Sequence, residues 1–362
     1  MIGVELHPPP VRPCDRRGRF RLLALLFAVT SAAASSGHTQ TLSVDYFGTG
    51  TNRFGIEFVE IGDPGNPQDG LVRFMTQRPE GVGAVGYVYR MAKHETSKGS
   101  VKEVNGIGEL FITHNNQEST YPPWSDRKPA TNMTFYEIAR FINWLNLVVG
   151  YPPAYRFSES GDWQLWDMED SWRLDRLNRY RHGGALYFLA SVDEWHKAAY
   201  WDQMARRYWL YPTGSDNPPL PVPEGTNEGT AVYMQPVDQG PADVDSAGGL
   251  SPYGVMGMGG NLWEFLETAQ HVPNDAVTEL LLIRGGRWYQ GPDRLAATGT
   301  DQGRPWDGNN DSTTFRIAAL PPLMGDSDGD GVGDRGGEDS RDRSTECGRP
   351  GAHDCAGIGG GH

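Results

Sequence analysis

Two Gly-Gly pairs, each running into a tryptophan, constrain this chain more than any other feature. They are Gly259-Gly260-Asn261-Leu262-Trp263-Glu264-Phe265 and, further on, Ile283-Arg284-Gly285-Gly286-Arg287-Trp288. Paired glycines let a backbone take positive φ or pass close to another strand, and the tryptophan after each pair supplies a large apolar body that fixes the turn against a core. Between them Leu280-Leu281-Leu282-Ile283 reads as a short buried strand delivering the second turn, and Thr313 to Ala318 as a closing strand. A fold of ordered loops pinned by aromatics is expected. The 47 Gly and 26 Pro agree with it, as do the 11 Trp and 15 Tyr available as anchors. A chain of 362 residues buries enough surface to fold without metal or disulfide, and one main domain is the simplest arrangement.

Arg16-Arg17-Gly18-Arg19, the apolar run Leu22 to Val29 and Ala32-Ala33-Ala34 follow the order of a secretory signal. Residues 1–34 are therefore expected to be a signal peptide, and the protein to be secreted, periplasmic or at the cell surface. The apolar run is too short to span a hydrocarbon layer of about 30 Å, so no transmembrane segment is expected in the mature chain. The net charge is −14; removing the leader takes away five Arg, one Asp and one Glu and leaves −17. Such a charge argues against nucleic acid as a partner. Of the three cysteines, Cys14 lies in the leader and Cys347 and Cys355 in the tail, so the body has none.

Alternating runs from Leu42 to Ile61 predict strands, followed by the turn-rich segment from Gly62 to Pro67. Gly81-Val82-Gly83-Ala84-Val85-Gly86 matches G-x-G-x-x-G, yet Pro79-Glu80 precedes it and Tyr87-Val88-Tyr89 follows. A phosphate cradle needs a strand before the glycines and a helix after them, so a turn entering a strand is expected instead. Thr134-Phe135-Tyr136-Glu137 is a capping box, with Ile138, Phe141, Ile142 and Leu145 behind it at helical spacing and Gly150 and Pro152 as the stop. Ser191-Val192-Asp193-Glu194 is a second capping box, with Trp195, Ala198 and Ala199 on one face. The polar, Trp-rich stretch from Asp162 to Arg181 reads as an insertion without a periodic pattern.

These segments carry a resemblance. Tyr253-Gly254-Val255-Met256, the two Gly-Gly landmarks and Phe315-Arg316 stand in the order in which the formylglycine-generating enzyme family, also called the sulfatase-modifying factor family, shows G-N-V-W-E-W, R-G-G-S-W and G-F-R. Upstream, Tyr89 to Thr96, Ala130 to Trp144 and Phe188 to Ala199 resemble the family's early strand and its two helices. The resemblance covers residues 42–320. It implies an α+β fold, irregular and loop-rich, related to C-type lectins, with two main helices on twisted sheets.

In that family, conversion of a sulfatase cysteine to formylglycine depends on two copper-binding cysteines shortly after R-G-G-S-W, because thiolates are soft ligands that hold Cu(I). The matching positions here fall near Gln290 and Leu295, neither of which can serve as a thiolate. No catalytic residue is assigned and copper is not expected. His94, His114, His182, His196 and His271 stand singly rather than at ligand spacing. The family also holds calcium around G-N-V-W-E-W through carbonyl and carboxylate oxygens. Glu264 is retained there, whereas Gly257 stands where a side-chain ligand is usual. In the tail, Asp326, Asp328, Asp330 and Asp334 alternate around Gly331 and look like a thrombospondin type 3 calcium motif. Residues 326–362 are thus expected to be an acidic Gly-rich tail that binds calcium.

Together these readings predict an exported, non-catalytic binding or structural module whose ligand is an exported peptide, protein or glycan. The alternative is an oxidoreductase or protein-modifying enzyme of the formylglycine-generating class acting through other residues. A third class is a calcium-dependent cell-surface protein with the tail as spacer.

Overall fold

A computed structural model describes residues 41–48, 53–70, 81–108, 110–113, 124–270, 274–299, 302–304 and 313–321. The expected signal peptide and the calcium motif at Asp326, Asp328, Asp330 and Asp334 lie outside these residues, as do His114 and His271.

The longer strands are β1 (Leu42–Phe47), β2 (Phe54–Ile61), β3 (Tyr89–Ala92), β4 (Asn178–His182), β5 (Tyr187–Leu189), β6 (Trp263–Ala269), β7 (Leu281–Arg284), β8 (Gln302–Arg304), β9 (Thr313–Phe315) and β10 (Ile317–Ala319). The helices are α1 (Lys98–Gly108), α2 (Phe135–Val148) and α3 (Val192–Tyr200). One sheet has the order β1-β2-β3-β10-β5 and is antiparallel throughout. The second runs β8-β7-β6-β9, with β9 parallel to β6 and the other pairs antiparallel. The expected closing strand is therefore two strands in two sheets. The chain passes from β9 to β10 at one residue, Arg316, which is buried.

Both capping boxes form as the sequence predicts. The Thr134 hydroxyl accepts from the Glu137 N–H while the Glu137 carboxylate accepts from the Thr134 N–H, and Ser191 and Glu194 repeat the arrangement. Ile138, Phe141, Ile142 and Leu145 are wholly buried. Asn146, one residue past that stripe, clamps α2 to the entry of β5: its Oδ1 accepts from the Leu186 and Tyr187 N–H groups at 2.8 and 3.0 Å, and its amide donates to the Tyr187 carbonyl. All nine residues of α3 are buried, so this helix lies inside the body rather than on it.

Two main helices were expected; α1 is a third. Its sequence, KGSVKEVNGIG, holds three glycines and buries only Val101 and Val104, which is too short a stripe to identify a helix from periodicity. Bonds to another segment hold its first turn instead: the Lys98 N–H donates to the Lys128 carbonyl at 2.8 Å and the Gly99 N–H to the Asp126 carbonyl at 2.7 Å. The Asn105 side chain also bonds the Ile112 backbone at both ends. The 162–181 stretch is a set of short hairpins in which Trp163 and Trp172 are buried. Among the described residues no helix is long and apolar enough to cross a membrane.

Candidate functional site

The two Gly-Gly landmarks lie side by side. The Gly260 N–H donates to the Gly285 carbonyl at 2.8 Å and the Trp288 N–H to the Asn261 carbonyl at 2.8 Å. Glycine is required on steric grounds. Gly260 has φ +86°, and a Cβ there would lie 2.3 Å from the Val232 carbonyl oxygen; Gly286 has φ +81°, and a Cβ would meet that of Arg294 at 2.9 Å. Trp263 and Trp288 are each 2% exposed, the first in the main core and the second in a smaller cluster with Val232, Ala242 and Leu262.

Leu295, at one of the positions matching the family's cysteines, is wholly buried and seated between the two turns. A Cβ on Gly259 would meet its Cγ at 3.3 Å, and one on Gly286 its Cδ1 at 3.3 Å. Gln290, at the other position, accepts from the Arg287 N–H through its side chain and from the Met234 N–H through its carbonyl. An aliphatic plug and an engaged amide supply no soft donor, so these residues do not fit copper. Beside Gln290 the surface opens. Met234 is 61% exposed in the left-handed region at φ +53°, and Val237 is 51% exposed. Non-glycine residues in that region cost energy and cluster at functional surfaces.

Around the turns sit three buried charge clusters, and strand β6 carries two of them. Glu264 is 1% exposed: the Arg316 guanidinium donates to both its oxygens, from Nη2 to Oε1 at 2.7 Å and from Nε to Oε2 at 3.1 Å, and Trp195 Nε1 donates to Oε2 at 2.8 Å. Arg316 also donates to the Ala92 and Met256 carbonyls, which fixes the crossing between the sheets. With Glu264 engaged in this way, with no side chain at Gly257, and with no three His, Cys, Asp or Glu groups converging among the described residues, the donor set here does not fit calcium.

Near Gly257 the structure places Glu95 instead; a Cβ on that glycine would lie 3.6 Å from Glu95 Oε2. Asn261 Nδ2 donates to the same oxygen at 2.5 Å. Burial, and then the neighbouring Glu264 carboxylate, push the Glu95 carboxyl up to about 8, because one guanidinium serves two carboxylates.

The second cluster centres on Arg181, 1% exposed. It donates to Glu194 from Nη1 at 3.0 Å and Nη2 at 2.8 Å, and its Nε donates to Glu267 at 3.1 Å, while its guanidinium carbon lies 3.6 Å over the Phe188 ring. Burial, and then repulsion from Glu194, push Glu267 up to about 7 even though Arg181 opposes the shift. Glu194 is held below its usual value: burial raises it, and the Arg181 charge and hydrogen bonds outweigh burial. In the third, buried His196 has Nε2 3.0 Å from Asp69 and accepts from Arg284 through Nδ1 at 3.2 Å.

Nothing in the sequence marks Arg181, Glu267 and Glu95 as site residues. The available signal was a carboxylate inside an apolar strand, as in Trp263-Glu264-Phe265-Leu266-Glu267, which implies a buried partner without saying which cation supplies it.

A pH dependence follows. Glu95 and Glu267 have folded-state values above the roughly 4.3 of an unfolded glutamate, so their contribution to stability is full below that value and is lost as pH rises through about 7 and about 8. Glu194 has the opposite sign, and its contribution is lost on acidification. The melting temperature is expected to be highest in mildly acidic solution, to fall by pH 8, and to fall less steeply in Glu95→Gln. A flat or rising profile over that range contradicts the assignment.

A mixed α/β domain dominated by loops and closed by paired Gly-Gly turns and a buried Arg–Glu crossing is the class this architecture defines. The model of the sulfatase-modifying factor enzyme 1-like domain matches residues 76–319, so the chain belongs to that family. Among solved structures it is similar to CarF, with a TM-score of 0.51 and 17% identity over 74% of this chain and 99% of that one. It is also similar to Treponema denticola variable protein 1 (TM-score 0.49, 17% identity, 77% and 99% covered) and to PvdO from Pseudomonas aeruginosa (0.47, 16%, 76% and 98%). No curated protein matches the sequence. At such identities the likeness concerns the fold and leaves function to be argued from this chain's own residues.

Proposed function

We propose that this chain is an exported, non-catalytic binding module that retains the formylglycine-generating scaffold without its copper chemistry. The observation that carries the reading is Leu295. At a position where the family's enzymes bear a thiolate, a wholly buried aliphatic side chain packs against both Gly-Gly turns. The sequence between the leader and Cys347 contains no cysteine that could substitute. The neighbouring surface, with Met234 and Val237 projecting beside Gln290, offers adaptable apolar contact area of the kind that suits a protein or peptide ligand.

Purified protein incubated with copper, oxygen and a sulfatase-type cysteine peptide is expected to leave the peptide mass unchanged. An aldehyde product with loss of the thiol sulfur, detected by mass spectrometry, refutes the non-catalytic reading.

A further inference from the structure

We propose that the recess between β2 and the start of α1 binds the side-chain cation of a lysine or arginine carried by a partner peptide. This deepens the binding-module reading and rests on it. The recess has a volume of about 270 Å³. Its walls are aliphatic where Ile56, Ala92 and Ile317 face it, and its polar rim consists of Glu57, Asp245 and His94.

That rim is built from acceptors. His94 Nδ1 lies 2.9 Å from the Val244 carbonyl; a carbonyl only accepts, so Nδ1 holds the proton and the neutral ring presents a lone pair on Nε2. Burial keeps the ring neutral by lowering its pKa. Nε2 is 3.7 Å from the Glu57 carboxylate, so two acceptors adjoin, with Lys93 donating to Glu57 only at 3.5 Å.

Glu95 is a second, independent observation. It belongs to the lining of the recess, is only 3% exposed, and its Oε1 has no hydrogen-bond partner. Once Glu95 is ionised, that oxygen is a buried acceptor without a donor, an unfavourable arrangement that an arriving N–H relieves.

The occupant follows from this combination. A bare metal ion is poorly matched, because no three His, Cys, Asp or Glu groups converge among the described residues and much of the wall is hydrocarbon. An ammonium or guanidinium on an alkyl stem matches both surfaces, with the stem along the aliphatic wall and the charge at the rim. Resident cations leave room for it: Lys93 reaches Glu57 only at 3.5 Å with both partly exposed, and Arg127 engages Asp245 from outside with 65% exposure. The lip also favours a peptide over a free amine. Gly55 lines the recess, and a Cβ there would lie 3.0 Å from Val44 and 3.1 Å from Tyr46. Those residues continue on β1 as an exposed apolar stripe with Leu42, suited to an aliphatic neighbour of the basic residue.

The test is fluorescence anisotropy with the full chain and a fluorescein-labelled Gly-Val-Arg-Val-Gly peptide, compared with its lysine and norleucine analogues. The arginine and lysine peptides are expected to bind about tenfold or more tightly than the norleucine peptide. Glu57→Gln and Asp245→Asn should each weaken binding, and Ser100→Trp, which fills the recess from α1, should abolish it with an unchanged circular dichroism spectrum.

Arginine-peptide affinity should also rise as pH passes through about 8, since a cation favours ionised Glu95, and this rise should vanish in Glu95→Gln. Glu264, Arg316 and Asn261 face Glu95 from the interior. On the recess side stand His94, whose pKa burial lowers, together with Glu57, Asp245 and Lys93. Equal binding of the norleucine peptide, no binding of the arginine peptide, or undiminished binding by folded Ser100→Trp overturns the proposal. None of these outcomes bears on cysteine conversion, and a formylglycine product would refute the non-catalytic reading without deciding whether the recess binds.

Discussion

Arg181→Ala is expected to destabilise the protein by about 3 to 5 kcal/mol, the usual cost of removing one partner from a buried ion pair. The arginine is 1% exposed and is the cation shared by Glu194 and Glu267, which are 0% exposed. Without it two carboxylates face each other in the core, and the ring contact with Phe188 is lost as well. The change also reaches α3, because the Glu194 carboxylate that pairs with Arg181 accepts from the Ser191 N–H in the helix cap. Urea unfolding measures the loss directly. A variant that also carries Glu194→Gln and Glu267→Gln should recover part of it, since the buried charges are then gone. If Arg181→Ala unfolds at the parent's midpoint, the cluster is not the tie between β4, α3 and β6 described above.

Trp263→Ala and Trp288→Ala are each expected to cost about 3 to 5 kcal/mol, the range for truncating a buried aromatic. The two losses have different structural causes. Trp263 begins β6, pairs with Thr313 across the sheet and packs in the main core, so its removal opens a cavity beside the strand that carries Glu264 and Glu267. Trp288 belongs to a small cluster, and its indole N–H donates to the Pro236 and Val237 carbonyls, each at 3.2 Å. Its removal should loosen the segment that holds Met234 and Val237 next to Gln290. Thermal unfolding gives the magnitude for both variants. Proteolysis should cut within residues 234–239 in Trp288→Ala but not in Trp263→Ala; identical cleavage patterns would show that Trp288 does not anchor that segment.

Much of this architecture was legible because its causes are local. A capping box followed by apolar residues at i, i+3, i+4 and i+7 contains its own explanation, and α2 and α3 begin at Phe135 and Val192, where the two boxes place them. The paired glycines declared their steric need as plainly. α1 was not legible, since Lys98–Gly108 has three glycines and two buried valines and its first turn is held by the Asp126 and Lys128 carbonyls. The strand expected from Thr313 to Ala318 divided in two because Arg316 must reach Glu264, Ala92 and Met256 together, a requirement that lies outside the segment itself.

For the site, the absence of cysteine from the body and the glutamine and leucine near the expected thiol positions were legible from composition and order alone. The surroundings of these residues depend on the folded chain. Leu295 is a plug because Gly259 and Gly286, far apart in the chain, converge on it. The Glu95 carboxyl is pushed up because it is buried and Glu264 of β6 lies beside it, while Arg316, at the crossing between the sheets, serves both, and Arg181 is a structural cation because residues 13 and 86 positions away supply its carboxylates. Charge energies in a low-dielectric interior depend on distances of a few ångströms between groups that sequence separation does not constrain, so these partners became visible only once the chain was folded.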